Sequence, residues 1–161
     1  AEGQQQYLAG ACDTYTTDAS GLAATRATFE NPDDHVLLPE IISKEPLGPL
    51  VRHGDNEWAD VARWTLNALV AAEELGVTSA NIAEMANGTN NPEINRLLGT
   101  EGGLGAMLGL GSDWAMNAIM AGGNYGELFE KNIGENTPIG LARGLNAMWT
   151  EGGLIYTPPF R

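Results

Sequence analysis

The sequence has few of the residues from which metal and nucleophile sites are usually built. It contains one cysteine and two histidines in 161 residues. Cys12 therefore has no internal partner for a disulfide. Cys12, His35 and His53 cannot build a structural zinc site without several carboxylates in unusual roles. We expect no metal site and no other cofactor.

Basic residues are also scarce, and their scarcity excludes two classes of partner. Eight Lys and Arg residues stand against 21 Asp and Glu residues, so the net charge is −13. A field of this sign repels phosphate backbones and anionic lipid, so we expect no binding to nucleic acid or to a membrane surface. The longest run without Asp, Glu, Lys or Arg has 13 residues, 114–126. A membrane-spanning helix needs about 18 or more apolar residues.

No pattern of residues indicates catalysis. The glycine-rich stretch 102–111 invites comparison with a nucleotide-binding loop. After Gly103 and Gly105, however, Leu108 stands where the third glycine of that pattern belongs, and no Lys-Ser or Lys-Thr pair follows. Carboxylates are numerous, but their spacing does not select an acid–base pair. We therefore expect no catalytic residue and no enzyme.

Short β-branched and aromatic runs lie in the first third of the chain, and helical patterns dominate the rest. Strands are predicted at 14–17, 35–38 and 50–52. Helices are predicted at about 2–10, 19–29 and 55–76, from Ser79, Ser112 and Asn124, and at 139–149 after Thr137-Pro138. Strand–helix–strand order predicts an α/β fold, with a thin sheet followed by a mainly helical C-terminal part. Because such a sheet has open edges, we expect the chain to be a piece of a larger protein.

Asp18 lies where the first predicted strand ends and a helix begins. Ligands bind at the carboxyl ends of strands in open α/β sheets, and a carboxylate there can pair with an ammonium group. Thr16 and Thr17 offer hydroxyl groups beside it. The same position suits a helix N-cap, because Asp accepts hydrogen bonds from the first N–H groups of a helix. The local sequence leaves both roles open.

Longer motifs run through the whole chain. They are CDTYTTD at 12–18, PDDHV at 32–36, LPEIISKEPLGP at 38–49, GNYGE at 123–127, ARGLNAMW at 142–149, GGL at 152–154 and PPFR at 158–161. Together these motifs resemble the periplasmic solute-binding proteins of amino-acid importers. The resemblance is closest to the general L-amino-acid subgroup, which binds glutamate, glutamine, aspartate and asparagine.

The resemblance implies a fragment of the two-lobed type II periplasmic binding protein fold. Residues 1–40 would be a remnant of the second lobe, and 41–161 would hold a crossing strand and the C-terminal part of the first lobe with a helical extension. In the family, the carboxylate matching Asp18 binds the α-ammonium group of the ligand, and the residue matching Thr17 lines the cleft. The arginine for the α-carboxylate and the cysteine that would pair with Cys12 lie upstream, so we expect the C-terminal half only.

The resemblance also implies a function for the complete protein. It would bind polar or acidic L-amino acids in the periplasm and deliver them to the membrane permease of an ABC-type importer. As a fragment the chain is expected to bind weakly or not at all, since removing one partner of a desolvated charge pair costs about 2–5 kcal/mol. The alternative is an interaction domain that binds no amino acid and associates with itself or with a complementary N-terminal half.

Overall fold

A computed structural model of the chain describes residues 2–43 and 46–161. Lys44 and Glu45, which belong to the motif at 38–49, lie outside the described residues, as does Ala1. The α-helices of the described part are α1 (Glu2–Leu8), α2 (Ala19–Arg26), α3 (Asn56–Glu74), α4 (Ile82–Gly88), α5 (Pro92–Leu98), α6 (Trp114–Gly122) and α7 (Tyr125–Asn132). Short 3₁₀ helices lie at Pro32–Asp34, Leu104–Leu108, Gly144–Asn146 and Trp149–Glu151.

The predicted sheet does not form within the described ranges. Segments 14–17, 35–38 and 50–52 form no ladder there. One isolated parallel bridge joins Met148 and Ile155. A strand is stabilised by a neighbouring strand that pairs with its N–H and C=O groups, and none of the three segments has such a neighbour among the described residues. The mainly helical C-terminal part is present, whereas the thin sheet is not confirmed.

Helix α3 is the central element of the C-terminal part, and both of its ends have local causes. The Asp55 carboxylate accepts a hydrogen bond from the backbone N–H of Trp58 at 3.1 Å, which caps the N-terminus. Gly76 has a φ of +69°, which suits the left-handed turn that ends a helix. The prediction of a long helix between Asp55 and Gly76 is therefore confirmed, although the Trp58 side chain at its start is exposed.

One hydrophobic core lies between α3, α4, α5 and α6, and the last residues of the chain complete it. The core residues are Ala68, Ala71, Ala72, Val77, Ile82, Ile94, Leu97, Leu98, Ala115, Ile119 and Phe160. The Phe160 ring meets Trp64 edge-on at 5.3 Å between centroids and lies 6.5 Å from Trp114. Its carbonyl accepts a hydrogen bond from Arg96 Nε at 2.8 Å. The chain end is thus part of the core.

The predicted helix at 139–149 is wrong. The Thr137 hydroxyl does accept hydrogen bonds from the N–H groups of Ile139 and Gly140, at 3.2 and 3.4 Å, as an N-cap would. The chain then turns, because Gly140 and Gly144 have φ values of +65° and +49° that a right-handed helix excludes. Only short 3₁₀ turns follow in this segment.

Helix α5 is not among the helices predicted above, although local signals for it exist. The Asn91 side chain accepts a hydrogen bond from the N–H of Glu93 at 2.9 Å, and Pro92 is the first helical residue. Gly99 ends the helix with a φ of +75°. Throughout the part of the chain that the structure describes, no helix is long and apolar enough to cross a bilayer.

Candidate functional site

Asp18 lies directly before α2, and only its backbone participates in the helix. Its carbonyl accepts the N–H of Leu22 at 2.8 Å, whereas its carboxylate makes no capping hydrogen bond. The side chain is half-buried. The positive end of the helix dipole favours a negative charge at this position. Asp18 therefore presents a carboxylate that the helix itself does not occupy.

The first turn of α2 lies against both predicted site residues. A Cβ atom on Gly21 would lie 3.5 Å from Thr17 Cγ2 and 3.8 Å from Asp18 Cβ. The Thr17 side chain is exposed and stands beside the Asp18 carboxylate in the chain. The structure thus keeps Asp18 and Thr17 together at one helix end. That a ligand binds to these two side chains stays a prediction.

A small aromatic cluster holds the segments around Asp18 in place. The Tyr7 hydroxyl lies 2.7 Å from His35 Nδ1. The Phe29 ring meets the His35 ring edge-on at 4.6 Å, and Tyr7 lies 6.2 Å from Phe29 and 6.4 Å from Tyr15. These contacts join α1, the segment before Asp18 and the segment after α2. They thereby connect the segments on either side of α2.

Two open depressions on the surface are not lined by either predicted site residue. One, of about 370 Å³, is lined by Glu74, Trp149, Tyr156 and Thr157. The other, of about 580 Å³, surrounds the turn before α3 and is lined by residues 52–57. In the first, Trp149 Nε1 donates a hydrogen bond to Glu74 Oε1 at 3.0 Å. Neither of these depressions therefore marks the predicted site.

A partly buried ion pair connects α3 to the segment after α7, and no sequence motif predicted it. Arg143 Nη1 and Nη2 donate to the two carboxylate oxygens of Glu73, at 2.8 and 3.2 Å. Arg143 Nη2 also donates to the Asn146 carbonyl at 2.8 Å, and the guanidinium lies over the rings of Tyr125 and Phe129. Burial raises the pKa of Tyr125, although the Arg143 charge opposes that shift. The charges satisfy each other, so this cluster is structural.

A second polar cluster joins α7 to the loop after α3. The Asn124 side chain accepts the N–H of Glu127 at 2.9 Å, and Glu127 Oε2 accepts the N–H of Asn124 at 2.8 Å, which is a capping box. The Ser79 hydroxyl donates to Glu127 Oε1 at 2.6 Å. Burial alone would raise the pKa of Glu127, but the hydrogen bonds from Ser79 and Asn124 together lower it below its usual value. This carboxylate is likewise engaged internally.

The described residues show neither a disulfide nor a metal site. Cys12 is exposed and forms no disulfide there. No group of three or more His, Cys, Asp or Glu side chains in ranges 2–43 and 46–161 is placed to hold a metal ion.

Comparison with known proteins gives close relatives. No protein-family model matches the chain. The glutamate/glutamine/aspartate/asparagine-binding protein BztA of Rhodobacter capsulatus is 68% identical over 161 residues, which is 100% of this chain and 48% of that protein. The general L-amino acid-binding periplasmic protein AapJ of Rhizobium johnstonii is 57% identical over 157 residues, 96% of this chain and 46% of its own length.

A solved structure has the same fold. It is an ABC transporter / periplasmic binding protein from Brucella ovis with glutathione bound, 56% identical, with a TM-score of 0.91. The match covers 99% of this chain and 50% of that one. The chain thus spans about half the length of the relatives that it matches. These relatives are named for binding and not for catalysis, in agreement with the absence of a catalytic pattern.

Proposed function

Because the chain is homologous to about half the length of the amino-acid-binding proteins of ABC transporters, we propose that it carries the ammonium-binding side of an amino-acid site. The observation that carries this proposal is the Asp18 carboxylate, half-buried at the start of α2 and unused by that helix. A carboxylate in this state can form charge-assisted hydrogen bonds with a ligand ammonium group. Thr17 would add a hydroxyl to the same group.

The ligand class follows from what the named ligands of the relatives share. One relative is named for binding glutamate, glutamine, aspartate and asparagine, and the solved neighbour holds glutathione. Each of these molecules carries an α-ammonium group beside an α-carboxylate. We therefore propose a polar or acidic L-amino acid as the ligand. Asp18 would bind the shared ammonium group, and other residues would bind the side chain of the ligand.

The physiological setting of this proposal is amino-acid import. The complete protein would work in the periplasm and deliver its ligand to the membrane permease of an ABC importer. Within it, residues 1–40 would belong to the second lobe, and 41–161 would supply a crossing strand and the C-terminal part of the first lobe. Segments 14–17, 35–38 and 50–52 would pair there with strands of the remaining sequence, which would restore the sheet. The chain would be the C-terminal half.

The alternative is an interaction domain that binds no amino acid. It is favoured by the exposed apolar side chains of residues 36–43 and 46–50, because exposed apolar surface marks contact surfaces. The two functions differ in one measurable respect. If the chain contributes to an amino-acid site, the affinity for the amino acid depends on Asp18. If the chain is only an interaction domain, Asp18 has no such effect.

The test uses a single polypeptide that joins this chain to the half of BztA that the chain does not match. Calorimetry with L-glutamate should show that Asp18→Ala lowers affinity at least tenfold, which is about 1.4 kcal/mol. Glutarate lacks the ammonium group, so its affinity should be the same for the unsubstituted protein and for the Asp18→Ala variant. The exposed Asp13 provides the matched control, since Asp13→Ala should leave the glutamate affinity unchanged. An equal affinity of the Asp18→Ala protein for glutamate would refute the assigned role.

A further inference from the structure

The surface depression of about 370 Å³ combines a carboxylate with two aromatic rings. We call it the aromatic depression, and its lining residues are Glu74, Trp149, Tyr156 and Thr157. The side chains of Trp149 and Tyr156 are 57% and 72% exposed. The hydrogen bond from Trp149 Nε1 to Glu74 Oε1 holds the indole ring beside the carboxylate. Aromatic surface and a negative charge therefore lie next to each other, open to solvent.

The Glu74 carboxylate has no cation of its own. The neighbouring Glu73 is paired with Arg143, but within the described ranges no basic side chain lies at ion-pair distance from Glu74. Glu74 is also the last residue of α3, where the negative end of the helix dipole disfavours a carboxylate and favours a cation. The last turn of this helix, all of which the structure describes, contains no basic residue. A cation from outside the chain would therefore be attracted by both the side chain and the helix end.

Backbone hydrogen bonds hold the loop that carries both rings. The N–H of Trp149 donates to the Ile155 carbonyl at 2.9 Å, and the N–H of Ile155 donates to the Ala147 carbonyl at 3.2 Å. Tyr156 follows Ile155 directly, so the same contacts fix the backbone beside both rings. A site whose backbone is already ordered loses less conformational entropy when it binds a ligand.

We propose that the aromatic depression binds an arginine side chain of a partner protein. Arginine suits this site better than lysine, because its planar guanidinium stacks on aromatic rings while its N–H groups donate to a carboxylate. A protein suits it better than a free metabolite, because small-molecule sites bury most of their ligand, whereas these two rings are largely exposed. The protein surface around the arginine would cover the rings. This proposal goes beyond the proposed function and does not depend on Asp18.

The experiment titrates the isotope-labelled chain with N-acetyl-L-arginine amide and follows the indole N–H signals by NMR. The blocked arginine has neither an α-ammonium nor an α-carboxylate group, so its binding tests this site apart from the amino-acid site. The Trp149 signal, identified by its loss in Trp149→Phe, should shift with a dissociation constant on the order of 1 mM. N-acetyl-L-citrulline amide, in which a neutral urea group replaces the guanidinium, should bind at least about fivefold more weakly.

Two variants test the carboxylate and the ring separately. Glu74→Gln keeps an oxygen that can accept the Trp149 N–H but removes the charge, and Tyr156→Leu removes one ring. Each should weaken binding of the arginine amide at least about fivefold. Glu84→Gln is the matched control, because Glu84 is an exposed glutamate on α4, and it should leave this affinity unchanged. Since all three positions are exposed, the variants should keep the circular dichroism spectrum and melting temperature of the unsubstituted chain.

The choice of a protein partner is tested with the capped peptide Gly-Gly-Arg-Gly-Gly, which should bind at least as tightly as the arginine amide. The proposal is overturned if the arginine and citrulline amides bind alike, or if Glu74→Gln behaves like Glu84→Gln. It is also overturned if the arginine amide binds and the peptide does not, because the site would then take a free cation. The titration is repeated on the single polypeptide that includes the unmatched half of BztA. Loss of the Trp149 shift in that polypeptide would overturn the proposal as well.

Discussion

Substitution of Arg143 by methionine should destabilise the C-terminal part more than any comparable change on its surface. Methionine approximates the length of the side chain but removes both hydrogen bonds to Glu73 and both to the Asn146 carbonyl. It also removes the cation from above the rings of Tyr125 and Phe129. The Glu73 carboxylate would then remain largely buried without a counter-charge.

The magnitude follows from how well water is excluded from this pair. The side chains of Arg143 and Glu73 are only 18% and 15% exposed. Breaking a fully buried pair by removing one partner costs about 3–5 kcal/mol. Because water still reaches part of both groups, we expect Arg143→Met to lower the free energy of unfolding by about 2–4 kcal/mol. Adding Glu73→Gln should recover part of that loss, since it removes the unpaired charge.

Urea unfolding followed by tryptophan fluorescence measures this difference. The control is Arg63→Met, which breaks the pair between Arg63 and Asp60. That pair has a similar N–O distance of 3.2 Å, but its side chains are 67% and 52% exposed. Exposed pairs contribute about 0–1 kcal/mol, so the control should change stability by less than about 1 kcal/mol. If Arg143→Met loses no more stability than Arg63→Met, the burial argument is wrong.

Two further predictions concern a close backbone approach and a titrating carboxylate. Gly105→Ala should destabilise the protein by about 1–3 kcal/mol, because its Cβ would lie 2.1 Å from the Gly111 carbonyl oxygen. Gly88→Ala meets nothing within 4 Å and should be neutral or stabilising when both variants are compared by thermal unfolding. For Glu127, whose folded-state pKa is lowered, the contribution to stability is complete above the unfolded-state pKa of about 4.3. That contribution is lost as the pH falls through the folded-state pKa, so urea titrations of Glu127→Gln should show a shallower loss of stability in acid.

Local signals predicted α3 and α7, whose starts have local causes. Asp55 and Gly76 bracket α3, and Asn124 begins α7, because a cap acts on backbone groups only a few residues away. Thr137-Pro138 is the instructive failure. Its cap forms, but Gly140 and Gly144 adopt conformations that no N-terminal signal reveals. A start signal predicts a helix only where the following residues can continue it.

Strands were harder to predict for a different physical reason. A strand depends on a neighbour that is distant in sequence, so its residue types indicate a tendency rather than a structure. Segments 14–17, 35–38 and 50–52 have the right residues but no ladder among the described residues. Their β-propensity therefore indicates where pairing can occur once a partner strand is present.

In the candidate site, too, features that depend on nearby residues could be predicted, and contacts between distant residues could not. Asp18 could be identified from its place before a helix, and the structure adds that its carboxylate is not used as the cap. The Arg143–Glu73 pair joins residues 70 apart in the chain, and the contact of Phe160 with Trp64 closes the core from the opposite end. Such contacts form only in the folded chain, and the spacing of residues in the sequence does not predict them.

The distribution of burial suggests what would limit amino-acid binding by this chain. The part from α3 onward has its own core, and its two charged clusters, around Arg143 and Glu127, are internally satisfied. Asp18 belongs to a smaller part around α1 and α2, in which Ala23 is the buried apolar residue. An amino acid carries two opposite charges, and both must be paired when the ligand is desolvated. Asp18 can pair with only one of them, so affinity should also depend on a cationic partner for the α-carboxylate.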